Sequence, residues 1–131
     1  LAINRPNPCE PLDVLSKVGG FEIASLAGAV LGSAHAGVPV VCDGFIATAG
    51  ALVACRMAPA AKDYLFVSHR SQEVGHSTMI ELLGLRPILD LNMRLGEGTG
   101  SALAMNIMEA ATKVLKEIRT FEEAGVTDTG H

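Results

Sequence analysis

Two short apolar runs, each breaking off into a polar cluster, constrain this chain most. Val38-Pro39-Val40-Val41-Cys42 stops at Asp43-Gly44, and Tyr64-Leu65-Phe66-Val67 stops at Ser68-His69-Arg70-Ser71. Neither run alternates polar with apolar residues, so each reads as a strand buried on both faces. Helical patterns flank them at Phe21 to Ala36, from Gly44 to about Arg56, and from Ser71 to Gly84. Buried strands alternating with helices predict an α/β fold with a parallel, doubly wound sheet. Ligands of such sheets sit beyond the carboxyl ends of the strands. That makes Asp43, Gly44, Ser68, His69, Arg70 and Ser71 the pocket candidates. The competing reading is that they are turn and cap residues, with Ser71 N-capping its helix near Glu73.

The remaining segments are read from the same periodicities. Leu12 to Lys17 predicts a short helix closing at Gly19-Gly20, and the face Ser25, Gly28, Ala29 and Gly32 is small enough for tight packing. Leu85 to Arg94 is apolar without a clear pattern. Leu103, Ile107, Ala110, Val114 and Ile118 then recur at helical spacing, with Met105 and Met108 read as core. Glu109 and Lys113 pair at i, i+4. Val126 to His131 reads as a frayed tail.

Arg94-Leu95-Gly96-Glu97-Gly98-Thr99-Gly100 sets one carboxylate among glycines, ahead of a long helix. Glycine admits positive φ and close ligand approach, and the helix N-terminus offers N–H groups with partial positive charge. Glu97 argues against a phosphate cradle, because it would repel a dianion. A carboxylate held beside an uncharged or cationic ring fits better; an ordinary Gly-rich turn is the alternative. Glu22 and Asp43 are further acids suited to a ribose diol, although Glu22 also suits the start of a helix.

Composition limits the partners. With 131 residues, 49% hydrophobic, the chain fits one compact domain or a domain with an appendage. A net charge of −4 gives no footprint for nucleic acid or an anionic membrane. The run Ile23 to Cys42 carries no acidic or basic residue save His35, yet Gly28, Gly32, Gly37 and Pro39 break it, against a membrane span. Cys9, Cys42 and Cys55 form no C-x-x-C pair, which reads as a reduced, cytoplasmic protein. No metal is expected, since the four histidines lack ligand spacing; His76 reads as solvent-facing and His69 as lining the pocket. The start at Leu1, running straight into a Pro-rich loop, reads as a fragment or a processed chain.

Five segments in order carry a family resemblance: Val18-Gly19-Gly20-Phe21-Glu22-Ile23-Ala24, Pro39-Val40-Val41-Cys42-Asp43-Gly44-Phe45, Ser68-His69-Arg70-Ser71, Arg94 to Gly100, and Thr120-Phe121-Glu122-Glu123-Ala124-Gly125-Val126. Together they resemble nicotinate-nucleotide:dimethylbenzimidazole phosphoribosyltransferases, over essentially the whole chain. The resemblance implies a Rossmann-like large domain ending near Gly84, a small helical domain over residues 85–131, and a homodimer. It implies phosphoribosyl transfer from nicotinate mononucleotide to 5,6-dimethylbenzimidazole, the lower-ligand step of cobalamin biosynthesis, without a cofactor. Glu97 matches the family's general base. Asp43, Gly44, Ser71 and Glu22 match positions lining the nucleotide site, with Gly96 and Gly98 beside the base. Members are more than twice this length, and their Gly-rich phosphate segment and active-site lysine lie upstream of anything present here. The alternative is a non-catalytic nucleotide-binding or subunit-interaction module; a dinucleotide-binding oxidoreductase ranks last, for want of a G-x-G-x-x-G.

Overall fold

The computed structural model describes residues 1–94 and 97–126. Helix α1 (Pro11–Val18) opens on a proline, whose fixed φ and missing N–H suit the first helical position. Gly19 and Gly20 separate it from α2 (Phe21–His35), which ends just before Gly37 at φ +71. β1 (Val40–Cys42) leads through Asp43 into α3 (Gly44–Met57). A 3-10 turn at Pro59–Tyr64 feeds β2 (Leu65–Ser71), which is followed by α4 (His76–Leu83). Gly84, at φ +61, closes α4, with its own N–H bonded to Glu81 and that of Leu85 to Ile80, as a left-handed helix cap requires. β3 (Pro87–Met93) and α5 (Thr99–Glu117) complete the chain.

The three strands form one parallel sheet in the order β1-β2-β3, and its parallel pairing with flanking helices is what the alternation of the first two runs predicts. α2 packs on α3 and α3 on α4, around Ala27, Val30, Ala51, Ala54, Leu65 and Leu83. Four segments differ from expectation. Leu85 to Arg94 contains β3, a strand the pattern does not announce, so the sheet runs beyond Gly84 to Met93. The small face of α2 is uncovered: Gly28 and Gly32 have no neighbour within 4 Å of an added Cβ. Close approach comes instead from Gly50 of α3, where a Cβ would meet Leu26.

The stripe of α5 that packs on the sheet is Gly100, Ser101, Ala104 and Met108. Leu103, Met105, Ile107, Val114 and Ile118 are exposed, because none of the described residues covers α5 beyond its first turns. His76, finally, is wholly buried rather than solvent-facing. Among the described residues no helix is long and apolar enough to cross a membrane.

Candidate functional site at the strand ends

The carboxyl ends of all three strands meet at an open cleft of about 380 Å³. β1 brings Asp43 and Gly44, β2 brings His69 and Ser71, and the loop after β3 brings Arg94 and Glu97. Phe45 and Ile46, at the start of α3, add apolar surface to the same cleft. The structure thus joins four expected residues, Asp43, Gly44, Ser71 and Glu97, from three separate stretches of sequence. Gly98 adjoins them through its N–H. Glu22 does not line the cleft and is exposed in the first turn of α2. Gly96 lies outside the described residues.

Local backbone geometry explains several of these residue types. Gly44 has φ +69, which an L side chain rarely adopts, at the point where β1 turns into α3. Between β2 and β3 the register shifts: His69 faces Leu89 and Ser71 faces Met93, so β3 bulges, with Asn92 at φ +54. The bulge sets where β3 ends and its following loop begins. On that loop Glu97 itself takes φ +52, a left-handed conformation costly for a long side chain. Such strain gathers where function demands it.

Asp43 is the most connected side chain of the cleft. Its Oδ2 accepts the N–H of Gly98 at 3.0 Å, and its Oδ1 accepts the N–H of Ser101 at 2.8 Å. Ser68 Oγ lies 3.4 Å and His69 Nδ1 3.7 Å from the same Oδ1, while Ser68 Oγ and His69 Nδ1 are 3.0 Å apart. All are satisfied when His69 donates to Ser68 and Ser68 donates to Asp43. Ser101 Oγ also reaches the carbonyl of Val41 at 3.4 Å, tying α5 to β1 a second time.

His76 organises the other wall. Its Nδ1 accepts the N–H of Ser71 at 2.9 Å, so its proton sits on Nε2, 3.0 Å from Thr48 Oγ1. Thr48 in turn donates to the carbonyl of Gly44 at 2.7 Å. Burial holds the His76 pKa below its ordinary value, helped by His69 and Arg70 nearby. Ser71 does not N-cap α4, a position that Gly75 takes; its Oγ accepts the N–H of Glu73 at 3.2 Å. Cys42 is inert core, its thiol pushed up to about 12 by burial.

Arg94 and Glu73 also line the cleft and were not among the expected binding residues. Their position depends on the bulge and on the Ser71 turn, neither of which has a sequence signature. No cluster of three or more His, Cys, Asp or Glu residues suited to a metal occurs among the described residues.

Comparison with known proteins gives this chain a family. The family model for phosphoribosyltransferase, DBI_PRT, matches residues 1–126. The nicotinate-nucleotide–dimethylbenzimidazole phosphoribosyltransferase of Syntrophobacter fumaroxidans is 76% identical over 131 residues, 100% of this chain and 37% of that protein. Its namesake in Citrifermentans bemidjiense is 61% identical over 129 residues, 98% of this chain and 37% of that one. The crystal structure of the enzyme of that name from Thermus thermophilus superimposes with a TM-score of 0.88 at 50% identity, over 96% of this chain and 38% of that chain. The chain therefore spans a little over a third of the length of these relatives. By sequence along nearly its whole length and by fold, it belongs to the DBI_PRT family of phosphoribosyltransferases.

Proposed function

We propose that this chain is the part of a nicotinate-nucleotide–dimethylbenzimidazole phosphoribosyltransferase that carries the general base. One observation bears the most weight: Glu97 faces the same strand-end cleft as Asp43, Gly44 and Ser71. In the reaction, a ring nitrogen of 5,6-dimethylbenzimidazole attacks C1′ of nicotinate mononucleotide. The bond from C1′ to the pyridinium nitrogen breaks, and its electron pair neutralises the departing nicotinate, which needs no protonation. The attacking ring acquires positive charge and sheds its other N–H proton to the Glu97 carboxylate, giving α-ribazole 5′-phosphate. A positioned base contributes about 100-fold or more. Phe45 and Ile46 offer apolar surface to a flat ring.

In this reading Gly44 and Ser71 contact the ribose or phosphate, and Gly96 and Gly98 leave room for the acceptor ring beside Glu97. Glu22 enters only as an acidic position of the nucleotide site implied by the resemblance. The phosphate-binding segment and part of the acceptor pocket belong to the longer polypeptide. The exposed apolar side chains along α5 support a homodimer, and three free cysteines accord with a cytoplasmic enzyme.

Glu97→Gln in a full-length enzyme carrying this segment tests the assignment. Turnover is expected to fall about 100-fold or more, with the KM for nicotinate mononucleotide nearly unchanged. Equal turnover in the two proteins removes Glu97 from the mechanism.

A further inference from the structure

The geometry points to Asp43 as the residue that positions Glu97, rather than as a direct ribose ligand. The inference rests on Glu97 being the base, and concerns what holds it in place. Glu97 sits on a left-handed turn immediately before α5, and nothing in its local sequence favours φ +52. The turn is instead held from the residues that follow it. The N–H groups of Gly98 and Ser101, which an isolated helix start leaves unpaired, both donate to the carboxylate of Asp43, 55 and 58 residues away in sequence.

Asp43 thus acts as an N-cap supplied by the sheet. It satisfies two donors at once and sets a negative charge at the positive end of a 19-residue helix. Its own orientation is fixed by Ser68 and by His69, whose ring is 1% exposed. The chain of contacts runs from β2 through Asp43 to the turn bearing Glu97.

Both carboxylate oxygens are committed to this anchor, one of them to several neighbours. A ribose diol would have to share them with two backbone N–H groups. Gly100 has the same meaning: a Cβ there would overlap the His69 imidazole and lie 2.8 Å from Asp43 Oδ1, so α5 sits as close to this group as a helix can.

Asp43→Asn in the full-length enzyme is the first variant to make. An amide keeps one acceptor and turns an NH2 toward the other N–H. Hydrogen exchange of the segment 97–101 should quicken, and kcat should fall about tenfold to a hundredfold, with the KM for nicotinate mononucleotide retained. Ser101→Pro, which deletes one donor within the first helical turn where proline is tolerated, should reproduce both effects with Asp43 intact. Unchanged exchange in 97–101 overturns the inference, as does a raised KM with kcat retained, which would return Asp43 to the ribose. The exchange readout does not depend on the chemistry, so full activity in Glu97→Gln would sink the base assignment without touching the anchor.

Discussion

At Gly100, α5 meets the strand ends with no room for even a methyl group. Elsewhere in a helix, alanine in place of glycine gains up to about 1 kcal/mol. Here the added Cβ would collide with His69, a buried ring packed beside Gly44 and bonded to Ser68, which has nowhere to move. Overpacking of this kind costs about 1–3 kcal/mol. Gly100→Ala should therefore lower the urea midpoint of the full-length protein despite the better helix propensity; an unchanged or raised midpoint would show that α5 is free to shift. The residues of the cleft are only partly legible in the sequence. Asp43, Gly44 and Ser71 announce themselves by following apolar runs, and Glu97 by lying among glycines. The bond from Ser101 to Asp43 spans 58 residues and exists only once the sheet and α5 are both in place.

The elements show the same division between local signal and tertiary context. α1, α2 and α3 end close to where Gly19, Gly37 and Pro59 interrupt them, since such residues act on the backbone itself. β3 is hard to see, although Leu89, Leu91 and Met93 do alternate with Asp90 and Asn92, a period-two pattern obscured by the flanking Leu85 and Ile88. His76 follows Gln72 and Glu73 and precedes Ser77 and Thr78, a polar neighbourhood that signals solvent. Its burial comes from Thr48, 28 residues distant, on another helix.

That buried histidine links α3, β2 and α4, and it makes their association pH-dependent. The folded state holds His76 neutral with its pKa below the ordinary 6.5, because burial disfavours the charged ring and protonating Nδ1 would set it against the Ser71 N–H. As pH falls below about 6.5 the unfolded chain takes up a proton that the folded one refuses. Its contribution to stability is complete above that pH and declines below it, by at most about 1.4 kcal/mol per pH unit. Urea midpoints at about pH 7.5 and about pH 5.5 should differ more in wild type than in His76→Gln. Equal differences would mean that the ring charges as readily in the fold as in the open chain. Thr48→Val should destabilise at both pH values, by about 1–3 kcal/mol, since it strands the Nε2–H.

At the scale of the whole molecule, the cleft is open and the apolar surface is unevenly covered. Among the described residues β1 pairs on one side only, with β2, and the far end of α5 carries exposed Val114, Leu115 and Ile118. This segment is 37% of the length of these two relatives, and in our reading the rest of such a polypeptide covers the free edge of β1 and brings the phosphate site. In that reading this segment contributes the acid that accepts a proton and the sheet that holds it. The most direct measurement is the release of nicotinate from nicotinate mononucleotide by a full-length enzyme carrying this segment, with and without 5,6-dimethylbenzimidazole. The account predicts release that depends on the benzimidazole, with α-ribazole 5′-phosphate formed in equal amount. Release indifferent to the benzimidazole, or none with both substrates bound, would contradict it.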